Sequence, residues 1–420
     1  MINPDRDFGA LVLDDRVHTS LYQDAAIFEE EIDRIFSKTW VWVAHASEVP
    51  TKNSFKTSFV GRQPVIVTRD KGDDIHVLLN RCRHRGASVC EQRKGKTSVF
   101  VCSYHGWSYE IDGKLRKVPY VEGYSAEFDK SEFPLISLRT EVYNGMVFAT
   151  FNQDVEPLAD FLGPARKWID LFMKQGAGYG VKVLGEHRFR FPGNWKIQLE
   201  NTTDAYHFPI VHKTFLMSLD DKTANTFDLM GQGGWLEDLG NGHSVCVMIP
   251  DLVDLDDNLD APIPDRFAAL AEELQAEGNA DDVVRRVVRA VGGGGFNLNL
   301  FPNVACSMSF FRVLRPIAVN ETEIQHIAIG MDGGPEAGNR ERIRIHEHFQ
   351  GPMGFGTPDD AEGWERVQRG TRASTEKTWI MLNRGINSVV KAPEGSNMGE
   401  VSGELGMRVA YQMWKRMMTA

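Results

Sequence analysis

Cys82-Arg83-His84-Arg85-Gly86 and Cys102-Ser103-Tyr104-His105-Gly106-Trp107, with seventeen residues between His84 and Cys102, decide how this chain reads. Each stretch supplies one thiol and one imidazole, so four metal-ligand side chains come from two short loops. A structural zinc site takes like ligands from the same loop, a Cys pair from one and a His pair from the other. Here each loop mixes the two. That mixture suits a Rieske-type [2Fe–2S] centre, in which two Cys hold one iron and two His the other, so that each loop straddles both irons.

Outward from these loops the texture is β-rich. Short runs at 64–69, 75–80, 98–102, 107–111 and 146–151 carry Val, Ile, Phe and Tyr between turn residues, and Asp112-Gly113 is a hairpin signal. An all-β cluster domain is expected over 40–152. Before it, residues 22–40 read as an amphipathic helix with Ile27, Phe28, Ile32, Ile35 and Phe36 on one face and acids on the other. After it, helix and strand alternate. Residues 157–174, 195–208, 263–292 and 403–420 read as helices, the second stopped by Pro209 and the last carrying a stripe of Leu405, Val409, Met413, Trp414 and Met417. Residues 183–191, 296–314 and 322–330 read as strands, and 251–262 as an acidic surface loop near a site entrance. The expected fold class is α+β, with 1–39 and 153–420 forming a second domain of antiparallel sheet surrounded by helices.

That second domain holds the other informative stretch, Glu200-Asn201-Thr202-Thr203-Asp204-Ala205-Tyr206-His207, followed by His212. Five residues separate the two imidazoles, which is not one helical face. A break at Pro209 would let His212 swing back toward His207. A carboxylate would complete a 2-His-1-carboxylate set, the frame of non-haem Fe(II) sites that keep positions open for O₂. Asp359 and Asp360 are candidates, although Thr357, Pro358 and two acids also make an ordinary helix start. Glu200 is a rival.

Composition narrows the partners. The 420 residues carry a formal net charge of −11, which argues against nucleic acid or an anionic membrane. Five cysteines form no disulfide framework; two belong to the metal loops, and the remainder read as reduced thiols in a cytoplasmic protein. No apolar leader opens the sequence, and no run of about 18 apolar residues suggests a membrane span. No G-x-G-x-x-G follows a strand into a helix, and no plant-type ferredoxin motif is present. Electrons from NAD(P)H must therefore come through a separate reductase, with or without a ferredoxin.

With both stretches in view, the chain resembles the large (α) subunit of Rieske-type aromatic-ring-hydroxylating oxygenases along nearly its whole length. CRHRG (82–86) and CSYHGWSYEIDGKL (102–115) match the family's cluster loops, ENTTDAYHFPIVH (200–212) its iron motif, and FGTPDDAEGW (355–364) the segment of the third iron ligand. The resemblance implies that Cys82, His84, Cys102 and His105 hold the cluster and that His207, His212 and Asp360 hold a mononuclear iron. It also implies that Asp204 bridges a cluster His105 of one subunit to His207 of the next, with Asn201 near the iron and Tyr206 and Trp107 packing beside the two sites. Family members are usually trimers of α subunits, often with β subunits as α₃β₃. The N-terminal half and the length look nearest to the benzoate, anthranilate and salicylate oxygenases, which take aromatic carboxylates. Asn297, Asn299 and Asn303 are candidate pocket-lining residues, and no cation is singled out as a carboxylate anchor.

Overall fold

The β-branched runs pair antiparallel in the computed structural model, which describes residues 7–231, 233–373 and 378–420. Two units form, Phe36–Leu158 and the remainder of the described chain. The architecture is α+β.

In the smaller unit seven strands make one sheet. Their spatial order is Val41–His45, Met146–Thr150, Ser137–Tyr143, Ile75–Leu79, Gln63–Arg69, Ser54–Val60 and Lys94–Lys96. A second sheet joins Val99–Val101, Ser108–Glu110 and Leu115–Lys117. Asp112-Gly113 turns the last two strands, with Gly113 at φ +91 where a side chain would strain. Phe55, Ile66, Leu78, Phe100, Trp107, Tyr109 and Leu135 form one apolar cluster that also takes in Cys82 and Cys102. The thiols thus sit on the core, while their loops reach outward.

In the larger unit nine strands form one antiparallel sheet, running from Val181–Phe191 at one edge through Glu321–Met331 and Phe310–Ala318 to Val390–Lys391 at the other. The helix Leu405–Thr419 packs on the strands Trp235–Gly240 and His243–Val247. Its buried stripe ends on Met418 rather than the expected Met417, four residues after Trp414.

Two other expectations are corrected. Residues 22–40 are not one helix: Ser20–Gln23 and Ala25–Glu31 are separated at Asp24, which caps the second, and a wider helical turn covers Ile32–Phe36. Nor do all its acids face away from the core. Glu31 is fully buried and accepts hydrogen bonds from Lys196 Nζ (2.6 Å), Trp195 Nε1 (2.8 Å) and Trp414 Nε1 (2.7 Å). A charge survives there because it is paired and hydrogen-bonded.

The second correction bears on function. The helix read over 195–208 ends at Thr202, and Pro209 lies in the first turn of a new helix, Phe208–Val211. Proline is tolerated there because the first-turn N–H groups have no intrahelical partner. The unpaired carbonyls at the end of Trp195–Thr202 are met by asparagines of the neighbouring strand. Asn297 Nδ2 donates to Thr202 O (3.2 Å) and Asn299 Nδ2 to Leu199 O (3.4 Å). These two asparagines fasten the helix to the sheet.

Candidate metal centres

The two loops of the smaller unit share one backbone frame. Cys82 N donates to Ala87 O (2.7 Å) and Gly86 N to Cys82 O (3.0 Å); Cys102 N donates to Trp107 O (2.8 Å) and Gly106 N to Cys102 O (2.9 Å). Both frames close through a glycine at positive φ, +80 for Gly86 and +71 for Gly106. The imidazole rides two residues after the Cys in the first loop and three after it in the second. This shared geometry brings His84 and His105 to a ring separation of 4.5 Å. Trp107 stacks on His84 at 5.0 Å with its ring nearly parallel.

Chemically the set fits the cluster. Both thiols are buried, His105 is exposed, and His84 Nδ1 is buried with no hydrogen-bond partner. Burial, with help from His105 and Arg85, pushes the His84 pKa down, which favours the neutral imidazole that can ligate. The Tyr109 hydroxyl lies 3.2 Å from Cys82 Sγ and accepts from Arg83 N (3.0 Å). Burial raises the Tyr109 pKa, so the phenol keeps its proton to offer to sulfur.

In the larger unit His207 and His212 flank the four-residue helix Phe208–Val211, whose single turn sets their rings 5.4 Å apart. Asp360, in the first turn of Thr357–Gly370, places Oδ1 at 3.3 Å from His207 Nε2 and 3.2 Å from His212 Nε2. Donor atoms that each stand about 2.0–2.2 Å from one ion lie roughly 3 Å apart, so the spacing fits a metal. Asn201 Nδ2 closes the group at 3.2 Å from both His207 Nε2 and Asp360 Oδ1. Burial alone would raise the Asp360 pKa, but the two imidazoles override it and hold the carboxylate well below its ordinary range. Burial likewise opposes a proton on His207, yet Asp204 and Asp360 lift its pKa to about 9.

The other carboxylates stay away. Glu200 points to the hydroxyls of Tyr22 (2.6 Å) and Tyr411, and burial raises its pKa to about 7. Asp359 is outside the three-ligand group. Asp204 Oδ2 stands 3.4 Å from His207 Nδ1, on the side of the ring opposite Asp360, and Asp204 Oδ1 accepts from Tyr206 N (2.7 Å). Tyr206, expected to pack, is exposed under Arg384. The asparagines expected in a pocket are absent from the cavity that adjoins the site. That cavity, of about 570 Å³, is lined by Phe208, Phe215, Phe227, Met308 and Phe349 among others. The rings of Phe208 and Phe349 lie 5.1 and 5.2 Å from His212.

A further group, His187, His346 and Glu347, also brings ligand-type atoms within 4.8 Å. Burial, with help from His187 and Arg312, pushes the His346 pKa down to about 4. Sequence reasoning missed Tyr109 and Arg312. Tyr109 carries no spacing signal. Arg312 does carry one, a lone charge inside the apolar strand run Phe310-Phe311-Arg312-Val313-Leu314.

Comparison with known families turns this geometry into an identity. Residues 39–134 match the Rieske [2Fe-2S] domain and residues 180–420 the ring hydroxylating alpha subunit (catalytic domain). The chain belongs to the ring-hydroxylating alpha subunits. This alpha subunit is 33% identical to the anthranilate 1,2-dioxygenase large subunit of Acinetobacter baylyi over 90% of its own length and 82% of the relative's. It is 33% identical to the toluate 1,2-dioxygenase subunit alpha of Pseudomonas putida over 90% and 83%. Its fold overlays that of naphthalene 1,2-dioxygenase with indole bound, with a TM-score of 0.82 at 27% identity over 99% of this chain and 95% of the other. The alpha subunit is thus a Rieske non-haem iron ring-hydroxylating oxygenase, with a [2Fe–2S] domain and a mononuclear-iron catalytic domain. Among the described residues no helix is long and apolar enough to cross a membrane.

Proposed function

We propose that this alpha subunit hydroxylates an aromatic carboxylate of the benzoate, anthranilate or salicylate type. The observation that carries the substrate class is the set of relatives named for anthranilate, 2-halobenzoate and toluate, each at least 31% identical over 90% of this chain. Residues 40–152 form the electron-receiving domain, and 1–39 with 153–420 the catalytic one. Cys82 and Cys102 hold one iron of the cluster and His84 and His105 the other. His207, His212 and Asp360 hold the mononuclear iron. When bound, the cluster stores one electron at a time and the iron activates O₂.

The chain's own residues do the rest. Asn201 stands beside the metal-facing atoms of His207 and Asp360, its amide 3.2 Å from each. Tyr109 donates to the Cys82 sulfur. Asp204 orients His207 through Nδ1 and, across a subunit boundary, bridges to the partner subunit's His105, giving an electron a short route. Support for the bridge is that Asp204 sits at the outer nitrogen of His207 and that His105 is exposed. The aromatic cavity beside His212 excludes water and holds the ring. A homotrimer, with β subunits as α₃β₃, assembles these bridges, and a separate NAD(P)H-dependent reductase, directly or through a ferredoxin, supplies the electrons. The enzyme works in the cytoplasm, where the cysteines outside the cluster, Cys90, Cys246 and Cys306, stay reduced, and engages neither nucleic acid nor membrane.

The test is a product screen with a surrogate reductase. Consumption of benzoate, anthranilate or salicylate, with O₂ uptake matched to hydroxylated product, is the expected result. Turnover of naphthalene or biphenyl with none of the three acids consumed would move the enzyme to the uncharged-arene class.

A further inference from the structure

Arg266 stands on the turn Asp265–Phe267, just ahead of the helix Ala268–Ala276, and lines the aromatic cavity beside His212. Its guanidinium lies over the Phe267 ring, 4.8 Å from the centroid, and that ring is buried and belongs to the same lining. Stacking occupies one face of the guanidinium plane and leaves its N–H edge open. Among the described residues Arg266 makes no hydrogen bond and no ion pair. Asp220 is the carboxylate whose charge reaches it, and Asp220 caps the helix Asp221–Thr226, accepting from Thr223 N (2.9 Å) and Thr223 Oγ1 (2.7 Å). Desolvation outweighs the pull of Asp220 and draws the Arg266 pKa below its ordinary value, although the residue is exposed. The guanidinium keeps its proton and its charge all the same.

The other charged side chains of the described lining are Glu341, Arg344 and Glu347, and each is engaged elsewhere. Arg344 presents its donor edge to Glu341, with Nε at 2.8 Å from Oε2 and Nη2 on Oε1, so that pair closes on itself. Glu347 brings a carboxylate oxygen within 4.8 Å of ring nitrogens of His187 and His346, which are not part of the lining. In the acidic stretch before Arg266, Asp254 and Asp256 meet Lys174 at 2.6 and 3.0 Å. Arg266 is left as the cation of the lining with no ion-pair partner among the described residues.

A planar guanidinium with an open donor edge matches a carboxylate through two parallel charge-assisted hydrogen bonds. The aromatic side chains around it offer faces and edges to a substrate ring. We propose that Arg266 anchors the substrate, pairing with the carboxylate of an aromatic acid whose ring lies among Phe208, Phe215 and Phe349 beside His212. The inference rests on the aromatic-carboxylate reading above and assigns recognition of the acid to one side chain. A neutral arene fills the same cavity but gives that edge no counter-charge. Arg266 therefore sets which ring is bound, and the iron-ligand set acts on it.

Arg266→Gln removes the charge from an exposed side chain that holds no hydrogen bond, so the fold should be untouched. Arg266→Lys keeps the charge and loses the fork, and Arg344→Gln removes the other cation of the lining. Binding is measured by calorimetry on oxidised holoenzyme with benzoate, anthranilate and salicylate, each against its neutral amide, after iron content and the cluster spectrum are shown to match wild type. Wild type is expected to prefer the acid. Arg266→Gln should weaken the acid about tenfold or more while the amide stays within about twofold, and Arg266→Lys should recover part of the loss; tenfold corresponds to about 1.4 kcal/mol. Equal losses for acid and amide in Arg266→Gln, an unchanged acid preference there, or a selective loss in Arg344→Gln alone would overturn the role of Arg266 and leave the substrate class standing. A wild-type enzyme that binds amide as tightly as acid would overturn the substrate class itself, and this inference with it.

Discussion

In the smaller unit Cys82, His84, Cys102 and His105 come from two loops that repeat one backbone frame, each closed by its own glycine. In the larger unit two imidazoles flank a four-residue helix, and Asp360 arrives from 159 residues beyond Asn201. The first centre is built from local hydrogen bonds on top of a core, with His105 left exposed. The second is built by the whole fold: asparagines of the sheet fasten one helix, a second helix brings the carboxylate, and a buried arginine stands behind them. A locally framed centre tolerates change elsewhere in the chain. A centre assembled across the fold depends on every element that holds its pieces in register.

The largest effect should come from removing the long-range member. Asp360→Ala is expected to lose the mononuclear iron and all detectable turnover while the visible spectrum of the cluster stays intact; Asp359→Ala should keep the iron. Metal analysis with absorption spectroscopy reads both, and loss of the cluster signal in Asp360→Ala would break the independence of the two centres.

Next comes the buried ion pair under the catalytic helix. Lys196 and Glu31 meet at 2.6 Å with both side chains almost fully enclosed. Lys196→Met strands the carboxylate and should destabilise the fold by about 3–5 kcal/mol in denaturant titrations. Iron loading should fall before the cluster spectrum does, because the helix that carries Asn201 moves first.

Asp204→Asn should keep both metals and lower turnover by about 10–100-fold, the usual cost of losing a carboxylate that orients a metal-bound imidazole. Single-turnover product formation, with the cluster reduced beforehand, should slow in step with steady-state turnover. Wild-type rates in that variant would remove Asp204 from the electron route.

The smallest effect sharpens the other side of the comparison. Tyr109→Phe deletes one hydroxyl beside Cys82 Sγ and should lower the cluster's reduction potential modestly, with the spectrum and the second centre unchanged. Spectroelectrochemical titration checks it. An unchanged potential would mean that the hydroxyl serves only Arg83 N.

The cluster loops were legible because their information is local: ligand spacing, a glycine four residues after each Cys, and strands at either end. Several strands were legible for the same reason, through β-branched runs and turn residues, among them Gln63–Arg69, Ile75–Leu79, Met146–Thr150, Val181–Phe191 and Glu321–Met331, whereas Val41–His45, Ser54–Val60, Ser137–Tyr143 and Trp235–Gly240 were not read. Pro209 misled because a proline signals a break without saying whether a helix ends before it or begins around it. Glu30 and Glu31 misled because local periodicity assigns charged residues to the solvent side, while Lys196, Trp195 and Trp414 offer Glu31 partners from far along the chain. Arg312 was visible as an anomaly in an apolar strand, but its neighbours were not.

By itself the sequence determined which chemistry this protein carries, because thiols and imidazoles at fixed short spacings on glycine-closed turns can do little else. The residues alone left the acid open and the motif resemblance implied Asp360; only the tertiary structure shows how it meets the imidazoles, with Glu200 drawn to Tyr22 and Tyr411 and Asp360 carried to His207 and His212. It alone put the Arg312 guanidinium behind Asn201. The reason is physical: spacing fixes what neighbouring residues can share, whereas burial and charge pairing depend on what the fold brings in from more than a hundred residues away.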